Sequence, residues 1–176
     1  MRRLEVAELS LAVLDALDVD ALAVLVGPER PLQGLAGLVD WRLCGALTRA
    51  LRGGLYGGAP GEALLLPTSG RLPAGRVVAL GLPAAPSPEA LEAAARHACD
   101  VLRRAGATSF AASLPAGDAG QAARAWLAAG EAAPQARQVL LGDARALHQA
   151  LTAARAASGA PVEIAPFTAR PGAMVR

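Results

Sequence analysis

The run Ala21-Leu22-Ala23-Val24-Leu25-Val26 has no polar face at all. Asp20 precedes it and Gly27-Pro28 end it, so it is too short for a buried helix and reads as a strand covered on both sides. That feature demands apolar cover above and below. A mostly parallel sheet held between two helix layers supplies it.

The rest of the chain fits the demand. Leu4, Val6 and Glu8 alternate with Glu5, Ala7 and Leu9, a weak period of two that suits an edge strand. A helix is expected from about Leu35 to Leu51, because Leu35, Val39, Leu43, Ala46, Leu47 and Ala50 form one stripe, and Gly53-Gly54 is its stop. Ala63–Leu66 and Arg76–Leu80 read as apolar strands joined by a loop with Pro67, Gly70, Pro73 and Gly75. Ser87-Pro88-Glu89 opens a helix to about Arg104, with Ser as cap, Pro at the first position and an acid in the first turn. A strand at Thr108–Leu114, a helix from Asp118 through Trp126 to about Ala129, and a strand at Gln138–Leu141 follow. Asp143 starts a helix to about Ser158, and Val162–Phe167 is the last strand. One domain over residues 1–167 is expected, with 168–176 as a flexible tail and no internal repeat. Strands alternating with helices imply an α/β fold with right-handed crossovers.

Composition narrows the function classes. All 17 basic residues are Arg, which together with the Ala, Gly and Pro excess suggests a GC-rich genome rather than a chemistry. The net charge is only +2 and the arginines are scattered, so the clustered charge of a nucleic-acid binder is missing. Glu5, Glu8, Asp15, Asp18 and Asp20 interrupt the apolar N-terminal region, so no signal-peptide core forms, and no apolar run reaches membrane-spanning length. Cys44 and Cys99 fall in helix-like segments far apart and read as buried reduced thiols. These readings together point to a cytoplasmic protein without a membrane partner.

Several segments, in order and spacing, carry a family resemblance. They are Asp20-Ala21-Leu22, Gly45-Ala46-Leu47-Thr48-Arg49, Gly58-Ala59-Pro60-Gly61-Glu62-Ala63-Leu64-Leu65-Leu66, and Leu72-Pro73-Ala74-Gly75-Arg76-Val77-Val78 with Gly81. Together they resemble the N-terminal domain of leucine (cytosol) aminopeptidases. The resemblance runs over essentially the whole chain, with the central third the most specific. It implies a three-layer α/β/α macro-domain-like fold with a mixed, mostly parallel central sheet. The family's catalytic half, with its two-metal site and Asn-Thr-Asp-Ala-Glu-Gly-Arg segment, has no match here, so peptidase activity does not carry over. No cofactor is implied and no residue is expected to be catalytic. His97 and His148 sit in separate helices with no ligand placed to join them, so no metal site is expected either.

The same stretch also resembles macro domains that bind ADP-ribose. The departure lies at the ligand: the first buried strand runs on as Gly27-Pro28-Glu29-Arg30-Pro31, where prolines remove donors, Glu29 repels a diphosphate and the family's asparagine is absent. Weak candidates for a ligand crevice are Gly27 and Gly34 in the first loop, and Gly53, Gly54, Gly57 and Gly58. The latter four close a helix and enter a strand, the wrong polarity for a phosphate loop. Ser69 lacks a nucleophile elbow, and Thr68-Ser69-Gly70 reads as a polar turn. Trp41 falls opposite the leucine stripe with Gly45 and Thr48 beside it, which suits an anchor for a protein partner or a second copy. The other reading of that face is cover by the domain's own loops. Trp126, in an alanine-rich helix, reads as core. The leading expectation is a non-catalytic domain that associates with proteins; a small-ligand crevice is the alternative.

Overall fold

The computed structural model describes residues 2–115, 117–130 and 137–169. The tail expected at 168–176 falls mostly outside the described residues. In chain order the elements are β1 (Arg2–Glu8), α1 (Leu11–Ala16), β2 (Ala21–Val26), α2 (Gly34–Arg42), α3 (Ala46–Arg52), β3 (Ala63–Pro67), β4 (Arg76–Gly81), α4 (Pro88–Arg104), β5 (Ser109–Ser113), α5 (Ala119–Gly130), β6 (Arg137–Gly142), α6 (Ala144–Ser158) and β7 (Val162–Pro166). The strands form one sheet in the order β3-β4-β2-β5-β6-β1-β7. Every neighbouring pair is parallel except β3 with β4.

Strand β2 sits third in the sheet and divides its side chains between two cores. Leu22, Val24 and Val26 join Leu14, Leu35, Val39 and Leu47 on the α1–α3 side. Ala21 and Ala23 face the other side with Phe110, Leu102, Trp126 and Leu151. Alternation of this kind, apolar on both faces, is what a central parallel strand requires. The two largest fully buried side chains, Trp126 and Phe110, lie in the α4–α6 core. Trp126 and Phe110 meet edge to face with centroids 6.4 Å apart, and the indole Nε1 donates to Gln138 Oε1 at 3.2 Å. Gln138 is fully buried, so this bond satisfies a polar group that water cannot reach.

Three expectations from the sequence are corrected. β1 is not an edge strand: it lies between β6 and β7. Its mid-strand Glu5 is only 6% exposed. The carboxylate is held by Arg137 from β6, Nε to Oε1 and Nη2 to Oε2, each at 3.0 Å. A buried charge with a bidentate partner mimics an exposed one in the sequence pattern.

The helix expected over 35–51 is two helices. The chain breaks at Cys44 and Gly45, with φ of 53° and 79°. Gly45 has no side chain to cap α3, and Asp40 of α2 does so instead: Oδ1 accepts from Leu47 N at 2.9 Å and Thr48 N at 3.1 Å. The break also carries Cys44 to the surface, so of the two thiols only Cys99 is buried, and burial pushes it up to about 11. Helix α1, not anticipated, is opened by Ser10, whose Oγ accepts from Val13 N at 3.2 Å.

A second carboxylate ties the sheet together. Asp20, just before β2, accepts from Thr108 N, Thr108 Oγ1 and Ser109 N at 2.7, 2.8 and 2.9 Å, locking the start of β5 to the start of β2. The Thr108 hydroxyl above all holds its pKa below the ordinary 3.8. A depressed carboxylate stabilises the folded state above its unfolded pKa and loses that contribution as pH falls through the folded one. Asp20→Asn should therefore cost about 1 kcal/mol in denaturant titrations at neutral pH, with the difference from wild type shrinking below pH 3.8. Trp126→Ala should cost about 3–5 kcal/mol by the same measurement, and Trp126→Phe distinctly less, because only the larger deletion opens a cavity beside Phe110.

Candidate functional site

The connections around β2 run over opposite faces of the sheet. Helices α2 and α3 carry the chain towards β3 and β4 along one face, whereas α4 returns over the other face to β5. Such a divergence opens a crevice at the carboxyl ends of the strands. Here it has a volume of about 430 Å³. The loop after β2, the start of α2, the loops after β4 and β5 and the end of β6 line it.

Its walls are mostly apolar: Leu9, Leu25, Leu32, Leu82, Leu114 and Leu141 among others, with Pro83, Pro86 and Pro115. Among the described residues, the polar side chains that line it are Glu29, Gln33 and Ser113, and none is basic. The N-terminus of α2 reaches the crevice at Gly34, Leu35 and Ala36, and its Ncap residue Gln33 makes no side-chain capping bond. Those first amides are a source of positive potential. Glu29 opposes them, with its carboxylate lying over Gly27 so closely that a Cβ there would collide with it. Arg30 does not compensate, because its Nη1 turns back onto Gly27 O at 2.8 Å and Glu29 O at 2.7 Å.

Of the six glycines proposed for the crevice, Gly27 and Gly34 line it. Gly34 has a φ of 55°, open to glycine with little strain. Gly53, Gly54, Gly57 and Gly58 are not among the lining residues. They build the turn between α3 and β3, where Glu62 Oε2 accepts from Gly57 N at 3.1 Å and Ala59 N at 2.8 Å. Behind that turn the Tyr56 hydroxyl is buried without a hydrogen bond, and burial raises its pKa. The loops after β4 and β5 were not singled out from sequence. Their signal was the proline-rich wording directly after each apolar strand, Leu82-Pro83 and Leu114-Pro115.

The second candidate is on the outside of α2. Trp41 is 63% exposed, and the Arg42 guanidinium lies 5.1 Å from its ring centroid. Arg42 is ion-paired with Asp15 of α1, so the cation over the ring is itself anchored. Gly45 and Thr48 are half-buried beside the helix break, and the Thr48 hydroxyl donates to Asp40 Oδ2. Cys44 lies on the same turn, with Arg71 Nη1 donating to its Sγ at 2.8 Å.

Among the described residues no three His, Cys, Asp or Glu side chains come together as a metal-binding group, and no helix is long and apolar enough to cross a membrane.

The fold has known counterparts. A leucine aminopeptidase from tomato superposes with a TM-score of 0.63 at 16% identity, over 88% of this chain and 36% of that one. A macrodomain from Oceanobacillus iheyensis gives a TM-score of 0.68 at 14% identity, covering 88% of this chain and 90% of that one. A Trypanosoma brucei macrodomain, in a complex with ADP-ribose, gives 0.66 at 15% identity, over 84% and 67% of the two chains. Such identities establish a macro-like α/β fold. The chain spans only about a third of the tomato enzyme's length. No curated protein matches it. Residues 23–142 match the N-terminal domain of the cytosol aminopeptidase family, the match does not extend to a catalytic domain, and the chain therefore belongs to that family through its N-terminal domain.

Proposed function

We propose that this domain is non-catalytic and acts by protein association through the α2–α3 face. The observation that carries the reading is Trp41: a large aromatic, 63% exposed, held under a guanidinium that is fixed to α1. An amphipathic ring already ordered in the free protein loses little entropy when a partner covers it, which is why tryptophan and arginine dominate binding energies at interfaces. The state of the carboxylates supports the non-catalytic half of the reading. Glu8, Asp20, Asp40, Glu62, Asp118 and Asp143 each accept from backbone amides, and Glu5, Asp15, Glu92 and Asp100 are ion-paired. Free thiols in Cys44 and Cys99 fit residence in a reducing cytoplasm.

The test is association measured with and without the ring. Trp41→Ala should weaken binding about 10–100-fold in sedimentation or quantitative pull-down experiments while leaving the melting temperature unchanged. A protein that stays monomeric and whose Trp41→Ala variant keeps every partner would discard the reading. An aminopeptidase assay with added zinc or manganese should be blank.

The crevice motivates a second reading, a small-ligand module, because its position and apolar lining suit a compact organic molecule. The Trypanosoma brucei macrodomain holds ADP-ribose. In this chain Glu29 stands at the crevice, and no basic side chain among the described residues lines it to offset that charge. Calorimetry should accordingly give no heat with millimolar ADP-ribose. Micromolar binding would make the crevice the primary site.

A further inference from the structure

Strand β3 ends the sheet, and among the described residues no strand pairs with its outer edge. Its partner β4 pairs antiparallel in the register Ala63↔Leu80, Leu65↔Val78, Pro67↔Arg76. Hydrogen bonds just beyond both strand ends fix which residues point inward: Gly81 N donates to Glu62 O at 3.1 Å and Thr68 N to Gly75 O at 3.3 Å. In an antiparallel ladder the bonded pairs alternate, so Leu64 and Leu66 bond to β4 along with these flanking residues. The N–H and C=O groups of Ala63 and Leu65 and the C=O of Pro67 therefore face away from the sheet. Proline sits at one of those outward positions, where no ladder bond is lost.

Side chains follow the same division. Leu64 and Leu66 pack into the α1–α3 core, so Ala63, Leu65 and Pro67 lie on the opposite face. All three are exposed, Leu65 by 58%. Proteins normally guard such an edge with charges. The nearby ones are engaged elsewhere: Glu62 with Gly57 N and Ala59 N, Arg71 with Cys44 Sγ, and Arg76 with Ala105 O at 2.7 Å.

We infer that β3 pairs with the β3 of a second copy of this chain, antiparallel about a twofold axis at Leu65, joining the two sheets into one. The outward groups are self-complementary in that register. The two Leu65 residues exchange N–H···O=C bonds, and each Ala63 N–H meets the C=O of the other copy's Pro67. The missing proline N–H leaves only the Ala63 carbonyl to water. Ala63, Leu65 and Pro67 of both copies form one apolar patch with no charge opposite a like charge. An isologous contact of this kind closes at the dimer. The strand is short and the interface correspondingly small, so the dimer belongs to the weak, transient class. The inference rests on the association reading for its partner type but uses a surface other than Trp41, so the two can fail separately.

Sedimentation velocity across a concentration series should show a reversible dimer. Leu65→Arg and Ala63→Pro should each weaken it by at least ~10-fold. The latter removes only an outward N–H, and an unchanged thermal melt would show that the β3–β4 ladder survives. In a Cys44→Ser background, Leu65→Cys should oxidise to a covalent dimer much faster than Leu55→Cys, a control at the exposed but non-strand residue Leu55. A strict monomer, open-ended polymers, or a Leu65→Cys crosslink no faster than the control would overturn the inference. So would a dimer abolished by Trp41→Ala yet untouched by Leu65→Arg and Ala63→Pro, a result that would leave the association reading standing. A dimer lost with the β3 variants and indifferent to Trp41→Ala would support the edge and count against the Trp41 face as the self-association surface.

Discussion

Everything in this molecule depends on burying β2 from both sides. Ala21, Ala23, Val24 and Val26 are completely inaccessible, and Leu22 nearly so. A strand with no polar face cannot stand at an edge or beneath a single helix layer, since one set of side chains would meet water. Helices must cover both surfaces, and right-handed crossovers must reach both flanks. The crevice is a consequence of that requirement: where the covering connections part company over β2, the carboxyl ends of the strands are left uncovered.

The sequence reveals this frame because the frame rests on periodicity, and periodicity survives in one dimension. Ser87 and Asp143 cap their helices by local bonds, to Ala90 N and Ala146 N, three residues on. Local bonds of that kind can be read directly from spacing. What stayed hidden depended on pairs far apart in sequence or on one backbone angle. Glu5 is buried because Arg137 approaches it across 132 residues. Helices α2 and α3 separate because Asp40 caps from within the preceding helix, while the leucine stripe runs on unbroken through the kink. The crevice was half legible. Its β2 loop was found from Gly27 and Gly34, but Gly53 to Gly58 were drawn into it by composition, when Glu62 had already committed that turn to closing on itself.

The polar chemistry here is structural bookkeeping of the backbone. Carboxylates stand at strand and helix starts and accept amides that would otherwise be orphaned. Asp20 serves β2 and β5, Asp40 serves α3, Glu8 serves the first amide of α6, and Glu62 serves the turn into β3. Group transfer asks the opposite of an acid, that it converge with others on an open pocket with oxygens free to accept a proton or metal. Among the described residues, Glu29 is the one acid lining the crevice.

How the sheet ends decides how readily each of its edges accepts a further strand. The two ends are built differently because their last strands arrive differently. Strand β7 comes in parallel beside β1 after α6, carries the exposed Glu163 near its start, and has Arg155 of α6 donating to Val162 O. A charge on an edge strand discourages a further strand. Strand β3 precedes β4 and pairs with it antiparallel, in a register that fixes which of its amides turn outward. In that five-residue strand, Ala-Leu-Leu-Leu-Pro, no charge is available to guard them. Leucine on both faces of an end strand makes sense when one face meets the core and the other meets a partner. The core claims Leu64 and Leu66, and Leu65 is left over. Pairing with a second identical strand would exchange the water on those outward peptide groups for ladder bonds and bury Leu65 against its own copy.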